Sequence, residues 1–180
     1  MSDALRVPFA HRLAVSLRDI PDFPKPGILF KDITPVLGDA ALFDELCAEL
    51  AAPFADARIT HVAGIESRGF ILGAPVARAL HAGFIPVRKP GKLPAPTVAR
   101  AYGLEYGTDR LEIHRDACGV AGRVLVVDDV LATGGTAKAA CALIEELGAT
   151  VVGVAVMLEI SALRGRSRLT DRMLHVVLPV

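Results

Sequence analysis

The sequence predicts an α/β domain with a central, mostly parallel sheet and helices on both faces of the sheet. Two observations lead to this prediction. Continuous apolar runs suited to buried strands occupy residues 61–65, 84–87, 124–129 and 151–158, and amphipathic helical patterns alternate with them. Fully apolar strands that are joined through helices are typical of parallel sheets covered on both sides.

The composition indicates a single domain spanning residues 1–180. The 52% of apolar residues exclude an intrinsically disordered chain. The 20 basic residues match the 20 acidic ones, which argues against nucleic-acid or membrane partners bound through general surface charge. The three cysteines are far apart and the first residues lack a secretory signal, so we expect a protein of the reducing cytoplasm.

The N-terminal part of the chain predicts two helices separated by a shaped loop. Residues 8–19 have a helical pattern, and the proline-rich segment 21–27 that follows excludes a helix. Asp39 is placed to cap the second helix. The core-facing side chains of that helix recur at helical spacing: Leu42, Phe43, Leu46, Cys47 and Leu50.

The middle of the chain predicts a strand, a helix, a second strand and then a long loop. The strand over 61–65 leads into a helix over 68–79 and a strand over 84–87. Residues 88–107 carry several prolines and glycines, and loops of this length in compact domains are usually lids or binding loops. A further short strand fits residues 111–114.

Asp128 and Asp129 end the apolar strand over 124–129 and precede a glycine-rich turn and a helix over 137–147. Adjacent carboxylates at the end of a buried strand are costly without partners, and ribose hydroxyls or Mg²⁺ are natural partners. The turn over 132–136 offers backbone N–H groups and hydroxyls at a helix N-terminus, which favours an anion. For the turn alone, a helix entry capped by a threonine is about equally plausible. Together, the acids and the turn indicate a site for a sugar phosphate.

Other nucleotide and hydrolase sites do not fit the sequence. It contains neither G-x-x-x-x-G-K-[ST] nor G-x-G-x-x-G, which argues against an NTPase and a dinucleotide-binding domain. Residues 64–69 approach the hydrolase pattern G-x-S-x-G, but Ile65 stands where the first glycine belongs. The five histidines show no metal-binding spacing, so no protein-held metal centre is expected.

The run over 124–136 resembles the 5-phosphoribosyl-1-pyrophosphate (PRPP) binding motif of the type I phosphoribosyltransferases. Four further segments narrow the resemblance to the branch of that family that acts on adenine: 21–35, 66–70, 88–94 and 102–107. The resemblance covers nearly the whole chain in order and spacing, and weakens after about Arg164. It implies the type I phosphoribosyltransferase fold, with a small N-terminal hood over about 20–38 and a mobile catalytic loop over 88–107.

The resemblance implies how PRPP is bound. Asp128 and Asp129 would hold the ribose 2- and 3-hydroxyls. The 5-phosphate would bind to the turn formed by Ala132, Thr133, Gly134, Gly135 and Thr136. The pyrophosphate would be bound by cations, namely Arg68, Arg88, Lys89 and Lys92, although a solvated basic loop also fits the last three. Mg²⁺ would be carried in mainly by PRPP rather than by a cage of protein ligands.

The resemblance also implies catalytic and base-binding residues. Glu105 would be the catalytic acid or base, with Tyr106 beside it over the reaction centre. Phe30 and Leu131 would lie on the two faces of adenine, and backbone groups of Leu29 and Lys31 would bind its Watson–Crick edge. Without the resemblance, Glu105 would be taken for a surface carboxylate and Phe30 for an ordinary core residue.

The function implied is transfer of the phosphoribosyl group of PRPP to N9 of adenine, which gives AMP and pyrophosphate and serves purine salvage. A homodimer is implied by the resemblance only. Two alternatives remain open. One is an enzyme of the same family that acts on hypoxanthine, guanine or xanthine, and the other is a ligand-sensing transcription regulator that kept the PRPP site. The absence of an added nucleic-acid-binding element disfavours the regulator.

Overall fold

The computed structural model describes residues 8–104 and 107–180 and divides the chain into two compact units, Met1–Leu46 and Cys47–Val180. The prediction of one domain stays a prediction. None of the helices in the described residues is long and apolar enough to cross a bilayer. The helices are α1 (Phe9–Ser16), α2 (Thr34–Gly38), α3 (Ala40–Ala51), α4 (Arg68–Ala79) and α5 (Gly135–Glu146). The strands are β1 (Arg18–Pro21), β2 (Leu29–Asp32), β3 (His61–Ile65), β4 (Gly83–Val87), β5 (Thr97–Leu104), β6 (Gly107–His114), β7 (Arg123–Leu131), β8 (Thr150–Glu159) and β9 (Met173–Pro179).

The first unit contains a β-hairpin between two short helices. Helix α1 stops at Ser16, earlier than predicted, because the next residues form β1 and pair antiparallel with β2. The proline-rich loop predicted over 21–27 is confirmed as the connection between these strands, and Gly27 adopts a positive φ of 83° in it. The Gly27 amide donates a 2.7 Å hydrogen bond to Oδ1 of Asp22, which fixes the turn.

The predicted capping of α3 by Asp39 is confirmed. Its carboxylate Oδ1 accepts hydrogen bonds from the amides of Ala41 and Leu42, both at 3.0 Å. These amides have no partner inside the helix, so the side chain satisfies donors that the helix leaves open.

The second unit is built on a five-stranded parallel sheet with the order β4-β3-β7-β8-β9. The strands predicted from apolar runs are β3, β4, β7 and β8, and all four are confirmed. Strand β9 was not predicted. It is an edge strand whose residues are mostly half-buried, and its sequence over 173–179 carries an apolar run that could have predicted it.

The two faces of the sheet are covered by different elements. One face packs against α5 and the β5–β6 ribbon in an apolar cluster that includes Ala63, Val126, Val154 and Ile144. On the other face, Gly64 and Gly73 leave room for the Phe84 ring, since a Cβ at either position would lie under 3.0 Å from it. The predicted fold class is therefore confirmed for this unit.

The segment 88–107 is more regular than the predicted loop. Residues Thr97–Leu104 form β5, which pairs antiparallel with β6. The side chains of Val98 and Tyr102 pack against the core, because alternation along β5 turns both of them to the same face of the ribbon. In the sequence, the prolines and glycines of the segment obscure the alternation of side chains along β5.

The connections place a crevice between β3 and β7. After β3 and α4, the chain re-enters the sheet as β4, on one side of β3. After β7 and α5, it re-enters the sheet as β8, on the opposite side. Right-handed crossovers in opposite directions put α4 and α5 on opposite faces. Ligands of such sheets bind where the order reverses, beyond the carboxyl ends of the strands.

Candidate active site

A cavity of about 400 Å³ opens at the carboxyl ends of β3 and β7, where the strand order reverses. Three chain segments meet there, because parallel strands end at the same edge of the sheet: the turn after β3, the segment after β4 and the turn after β7. The lining residues are Glu66, Ser67, Arg68, Lys89, Tyr102, Asp109, Asp128, Asp129, Val130, Ala132 and Thr136.

Arg68 and Asp129 form an ion pair inside the cavity, with Nε 2.9 Å from Oδ2. Arg68 is the first residue of α4, and Asp129 lies near the end of β7, so two neighbouring strands supply the two charges. The Asp129 side chain is 6% exposed, whereas that of Arg68 is 37% exposed. The cation therefore shields a buried carboxylate on one side and remains accessible to a ligand on the other.

The pKa values of the Asp128 and Asp129 carboxyls are both raised. Burial and the neighbouring Asp129 charge raise the pKa of Asp128 well above its ordinary value. Burial likewise raises the pKa of Asp129, against the opposing influence of Arg68. The amide of Asp129 donates a 2.9 Å hydrogen bond to Oδ1 of Asp128. Hydroxyl donors that reach these carboxylates would favour their ionised forms, and ribose provides two such donors.

The turn after β7 has the shape expected of a phosphate-binding loop. Gly134 adopts a φ of 79° and is the N-cap residue of α5, so the predicted alternative of a capping threonine is wrong. Thr133 and Thr136 flank it, and Tyr102 forms a hydrogen bond with Thr136. With glycine at the cap, backbone N–H groups at the start of α5 can approach an anion closely.

Glu66 holds the segment after β4 against the turn after β3. Its Oε1 lies 2.6 Å from Nζ of Lys92 and 3.2 Å from a terminal nitrogen of Arg88. Its Oε2 accepts a 2.9 Å hydrogen bond from the amide of Lys89. Burial raises the pKa of Glu66, but the hydrogen bonds from Lys92, Lys89 and Arg88 outweigh it and lower the pKa to about 2. Glu66 is therefore ionised at every pH at which an enzyme works.

Asp109 ties the β5–β6 ribbon to the same segment. Its Oδ2 lies 2.7 Å from Nζ of Lys89 and accepts a 3.1 Å hydrogen bond from the Tyr102 hydroxyl. The hydrogen bond from Lys89 lowers the pKa of Asp109, and burial raises the pKa of Tyr102. Because Tyr102 also contacts Thr136, one chain of polar contacts runs from Lys89 to the phosphate-binding turn.

The sequence placed Glu66 and Tyr102 in segments of the expected site but assigned a role to neither, and it did not identify Asp109. Glu66 had a signal, since it directly follows the predicted strand β3 and begins one of the three converging turns. Asp109 had none, because its partner Lys89 is 20 positions away and the two meet only because Arg88 pairs with Glu112 of β6.

The predicted PRPP-binding residues come together in large part. Arg68, Lys89 and the acid pair line the cavity, as do Ala132 and Thr136. Thr133, Gly134 and Gly135 belong to the same turn. Arg88 and Lys92 reach the site through Glu66. The predicted catalytic residues Glu105 and Tyr106 lie outside the described residues.

The predicted base-binding residues divide between the two units. Leu29, Phe30 and Lys31 form most of β2 in the first unit, where Nζ of Lys31 lies 2.6 Å from Asp19. The prediction for Leu131 needs correction. Its side chain is 1% exposed and belongs to the apolar cluster with α5, whereas the neighbouring Val130 lines the cavity. Successive side chains of a strand point to opposite sides, so the neighbours Val130 and Leu131 of β7 have different surroundings.

A protein-held metal cluster is not found in the described ranges 8–104 and 107–180, where no group of three or more His, Cys, Asp or Glu side chains is placed to bind an ion. Asp128 and Asp129 bring two adjacent carboxylates to the cavity. Paired carboxylates completed by ligand oxygens are a donor set that suits Mg²⁺.

Comparison with known proteins identifies the family. Residues 37–178 match the phosphoribosyl transferase domain. The chain is 56% identical over 176 residues to adenine phosphoribosyltransferase of Kineococcus radiotolerans, which covers 96% of this chain and 95% of that protein. It is 56% identical over 157 residues to the Myxococcus xanthus enzyme of the same name, which covers 87% and 85%.

Solved structures agree with the sequence relatives. The crystal structure of adenine phosphoribosyltransferase from Rhodothermus marinus matches with a TM-score of 0.92 and 52% identity, over 96% of this chain and 98% of that one. The Saccharomyces cerevisiae enzyme, solved with adenine and an imino-altritol bisphosphate, matches with a TM-score of 0.89 and 38% identity, over 94% and 98%. The chain belongs to the phosphoribosyltransferase family and, within it, to the adenine phosphoribosyltransferases.

Proposed function

We propose that the chain is a pentosyltransferase that transfers the phosphoribosyl group of PRPP to N9 of adenine, releasing AMP and pyrophosphate in purine salvage. The observation that carries the proposal is the buried pair Asp128 and Asp129 directly before a phosphate-binding turn, in one cavity with Arg68. The relatives that carry the name adenine phosphoribosyltransferase support the choice of base.

The ribose 5-phosphate part of PRPP would bind along the turn after β7. Its 2- and 3-hydroxyls would donate to Asp128 and Asp129, which compensates the burial of two carboxylates. Its 5-phosphate would accept hydrogen bonds from the backbone between Ala132 and Thr136 at the start of α5. This assignment is supported by the position of Gly134, which provides a close approach to the backbone.

The pyrophosphate would be bound by Arg68 together with Lys89, and by Arg88 and Lys92 at the edge of the site. In the free protein these last three cations are paired with Glu66 and Asp109. Pyrophosphate would compete with those carboxylates for the cations, and Lys89 would exchange Asp109 for a phosphate oxygen. Cations at this place stabilise the negative charge that develops on the leaving group.

Mg²⁺ would enter with PRPP and be held mainly by oxygen atoms of PRPP. Asp128 and Asp129 are the protein carboxylates whose chemistry suits the ion. When bound, the ion neutralises charge on the pyrophosphate and favours its departure. The protein's own task is then to hold the ribose and exclude water from C1. We propose that residues 88–107 close over the site for this purpose.

Catalysis would rest on Glu105 and Tyr106. The bond from C1 to the pyrophosphate oxygen breaks, and N9 of adenine attacks C1, so the transition state resembles an oxocarbenium ion. Adenine loses its N9 proton in forming AMP, and a carboxylate such as Glu105 can accept it. Tyr106 would cover the reaction centre.

Adenine would lie beneath the hairpin of the first unit, within the hood over about 20–38. Three large apolar side chains of that hairpin are exposed, Phe23 at 51%, Ile28 at 36% and Leu29 at 51%. Exposed apolar surface of this kind marks binding sites. Phe30 would stack on the purine, backbone groups of Leu29 and Lys31 would bind its edge, and Val130 replaces Leu131 as the proposed contact from the turn.

The proposal includes a homodimer and a cytoplasmic location, both implied by the family. Cys47, Cys118 and Cys141 are buried in the described structure, which suits a reducing compartment. Purine salvage uses nucleotide precursors that are made and consumed in the same compartment.

A base-selectivity assay tests the proposal. The purified chain would be given PRPP and Mg²⁺ with adenine, hypoxanthine, guanine or xanthine in turn, and nucleotide and pyrophosphate would be measured. We expect AMP from adenine alone, with one pyrophosphate released for each AMP. Product from a 6-oxopurine would contradict the choice of base. Tight PRPP binding without product from any base would contradict the enzyme and favour the regulator.

A further inference from the structure

The turn over 161–168 lies directly against the phosphate-binding turn. A Cβ at Gly165 would collide with the carbonyl oxygen of Ala132 and would lie 3.0 Å from the amide nitrogen of Gly134. A Cβ at Gly134 would in turn collide with the carbonyl oxygen of Gly165. The two glycines therefore allow two backbone segments to touch without any side chain between them.

An ion pair between the buried carboxylate of Glu159 and Arg166, whose side chain is 60% exposed, holds the turn over 161–168 at its base. Glu159, the last residue of β8, has a side chain that is 3% exposed. Nε of Arg166 donates a 2.8 Å hydrogen bond to Oε1 of Glu159, and a terminal guanidinium nitrogen donates to Oε2. A two-pronged arginine–carboxylate pair sets orientation as well as distance. Gly165 precedes Arg166 in the chain, so the pair determines where Gly165 lies.

The same pair connects to β7, which leads into the phosphate-binding turn. Glu159 lies opposite Leu131 in the parallel pairing of β7 with β8. The amide of Ile160 donates a 2.9 Å hydrogen bond to the carbonyl oxygen of Leu131. Both ends of the contact are thus anchored, since Glu159 is held beside the end of β7 and Gly165 supports the turn that follows.

We propose that Glu159, Arg166 and Gly165 are positioning residues for the PRPP phosphate. They set the position and direction of the turn 132–136 through the backbone contact of Gly165 with Ala132 and Gly134, without contacting the substrate themselves. This inference rests on the proposed function of that turn. It predicts that loosening the support harms binding of the ribose phosphate and leaves adenine binding unchanged.

The experiment compares four variants with the wild type: Glu159→Gln, Arg166→Ala, Gly165→Ala and the control Arg168→Ala. The control removes the same charge from the same turn. Since a displacement of about 1 Å can cost about 10²-fold in an organised site, we expect the KM for PRPP to rise roughly 10- to 100-fold in the first three variants. The KM for adenine and all constants of Arg168→Ala should stay within about twofold of wild type.

Binding of ribose 5-phosphate, measured by calorimetry, separates this inference from the proposed function. The measurement needs no turnover, so it applies even if the wild type makes no AMP. We expect ribose 5-phosphate to bind the wild type and Arg168→Ala alike, and to bind the other three variants at least tenfold more weakly. Melting temperatures and an Arg166→Lys variant, which we expect to recover part of the affinity, separate positioning from general loss of structure.

Two results would overturn the inference. Unchanged ribose 5-phosphate affinity in Gly165→Ala would show that the backbone contact does not set the turn. Loss of affinity in Arg166→Ala combined with wild-type or higher affinity in Glu159→Gln would show that Arg166 binds the phosphate directly, because Glu159→Gln frees the guanidinium.

Discussion

Replacing Gly134 with alanine should impair the use of PRPP far more than it destabilises the fold. Two costs add at this position. A left-handed backbone conformation costs an alanine roughly 1–2 kcal/mol, before the smaller gain that any glycine-to-alanine exchange brings through the unfolded chain. The new Cβ would also collide with the carbonyl oxygen of Gly165, a backbone atom that cannot swing aside.

The collision between the new Cβ and the Gly165 oxygen would displace the phosphate-binding turn. Ordinary van der Waals contact begins at 3.4 Å, and the Cβ of an alanine at this position would lie under 3.0 Å from the Gly165 oxygen. The two segments must therefore separate by roughly 0.5–1 Å, a misplacement that costs up to about 10²-fold in rate. We expect kcat/KM for PRPP to fall about 100-fold and KM for adenine to change little.

Gly148→Ala is a matched control at the other end of the same helix. Gly148 has a φ of 84°, close to the 79° of Gly134, but a Cβ there would meet its nearest neighbour, Val120, at an ordinary 3.5 Å. The two variants share the backbone cost, which should lower each melting temperature by about 2–4 °C per kcal/mol. Steady-state kinetics with both substrates and thermal unfolding of both variants measure these effects. Equal kinetic constants for the two variants would refute the reasoning.

Three further predictions concern charged residues of the proposed site. Arg68→Ala should raise the Kd for PRPP at least tenfold in calorimetry, because it removes a cation that binds the pyrophosphate. Arg78→Ala, in the last turn of the same helix, should leave the Kd unchanged, and equal affinities of the two variants would disprove the role of Arg68. Glu105→Gln should lower kcat with little change in either KM, and an unchanged kcat would rule out Glu105 as the base. Burial raises the folded-state pKa of Asp128 above its ordinary 3.8, so the contribution of Asp128 to the unfolding free energy should be largest below that pH and should be lost as pH rises through the raised pKa. In chemical denaturation, Asp128→Asn should flatten this decline, and an unaltered slope would contradict the assignment.

Local signals in the sequence were sufficient for most of the elements. Asp39 caps α3 because a side chain that caps its own helix acts over two or three residues. The acid pair and the glycine turn likewise lie within one contiguous run, so the sequence alone places them together, and phosphate binding by the turn stays a prediction. The turns after β3, β4 and β7 meet because parallel strands end at the same edge of the sheet.

The other contacts of the site depend on pairings between distant residues, which a local sequence pattern does not encode. The contact of Lys89 with Asp109 requires the pairing of Arg88 with Glu112 of β6, and the contact of Gly165 with Gly134 requires the position of a segment about 30 residues downstream. A different reason explains why Val130 lines the cavity where Leu131 was predicted. Both side chains are apolar, and only their burial in the folded unit distinguishes them.

The most direct test of the central claim is a crystal structure of the chain with AMP bound. The account predicts the 5-phosphate between Ala132 and Thr136 at the start of α5, the ribose hydroxyls on Asp128 and Asp129, and the adenine ring against Phe30. A phosphate bound elsewhere, or a ribose turned away from the two acids, would contradict it.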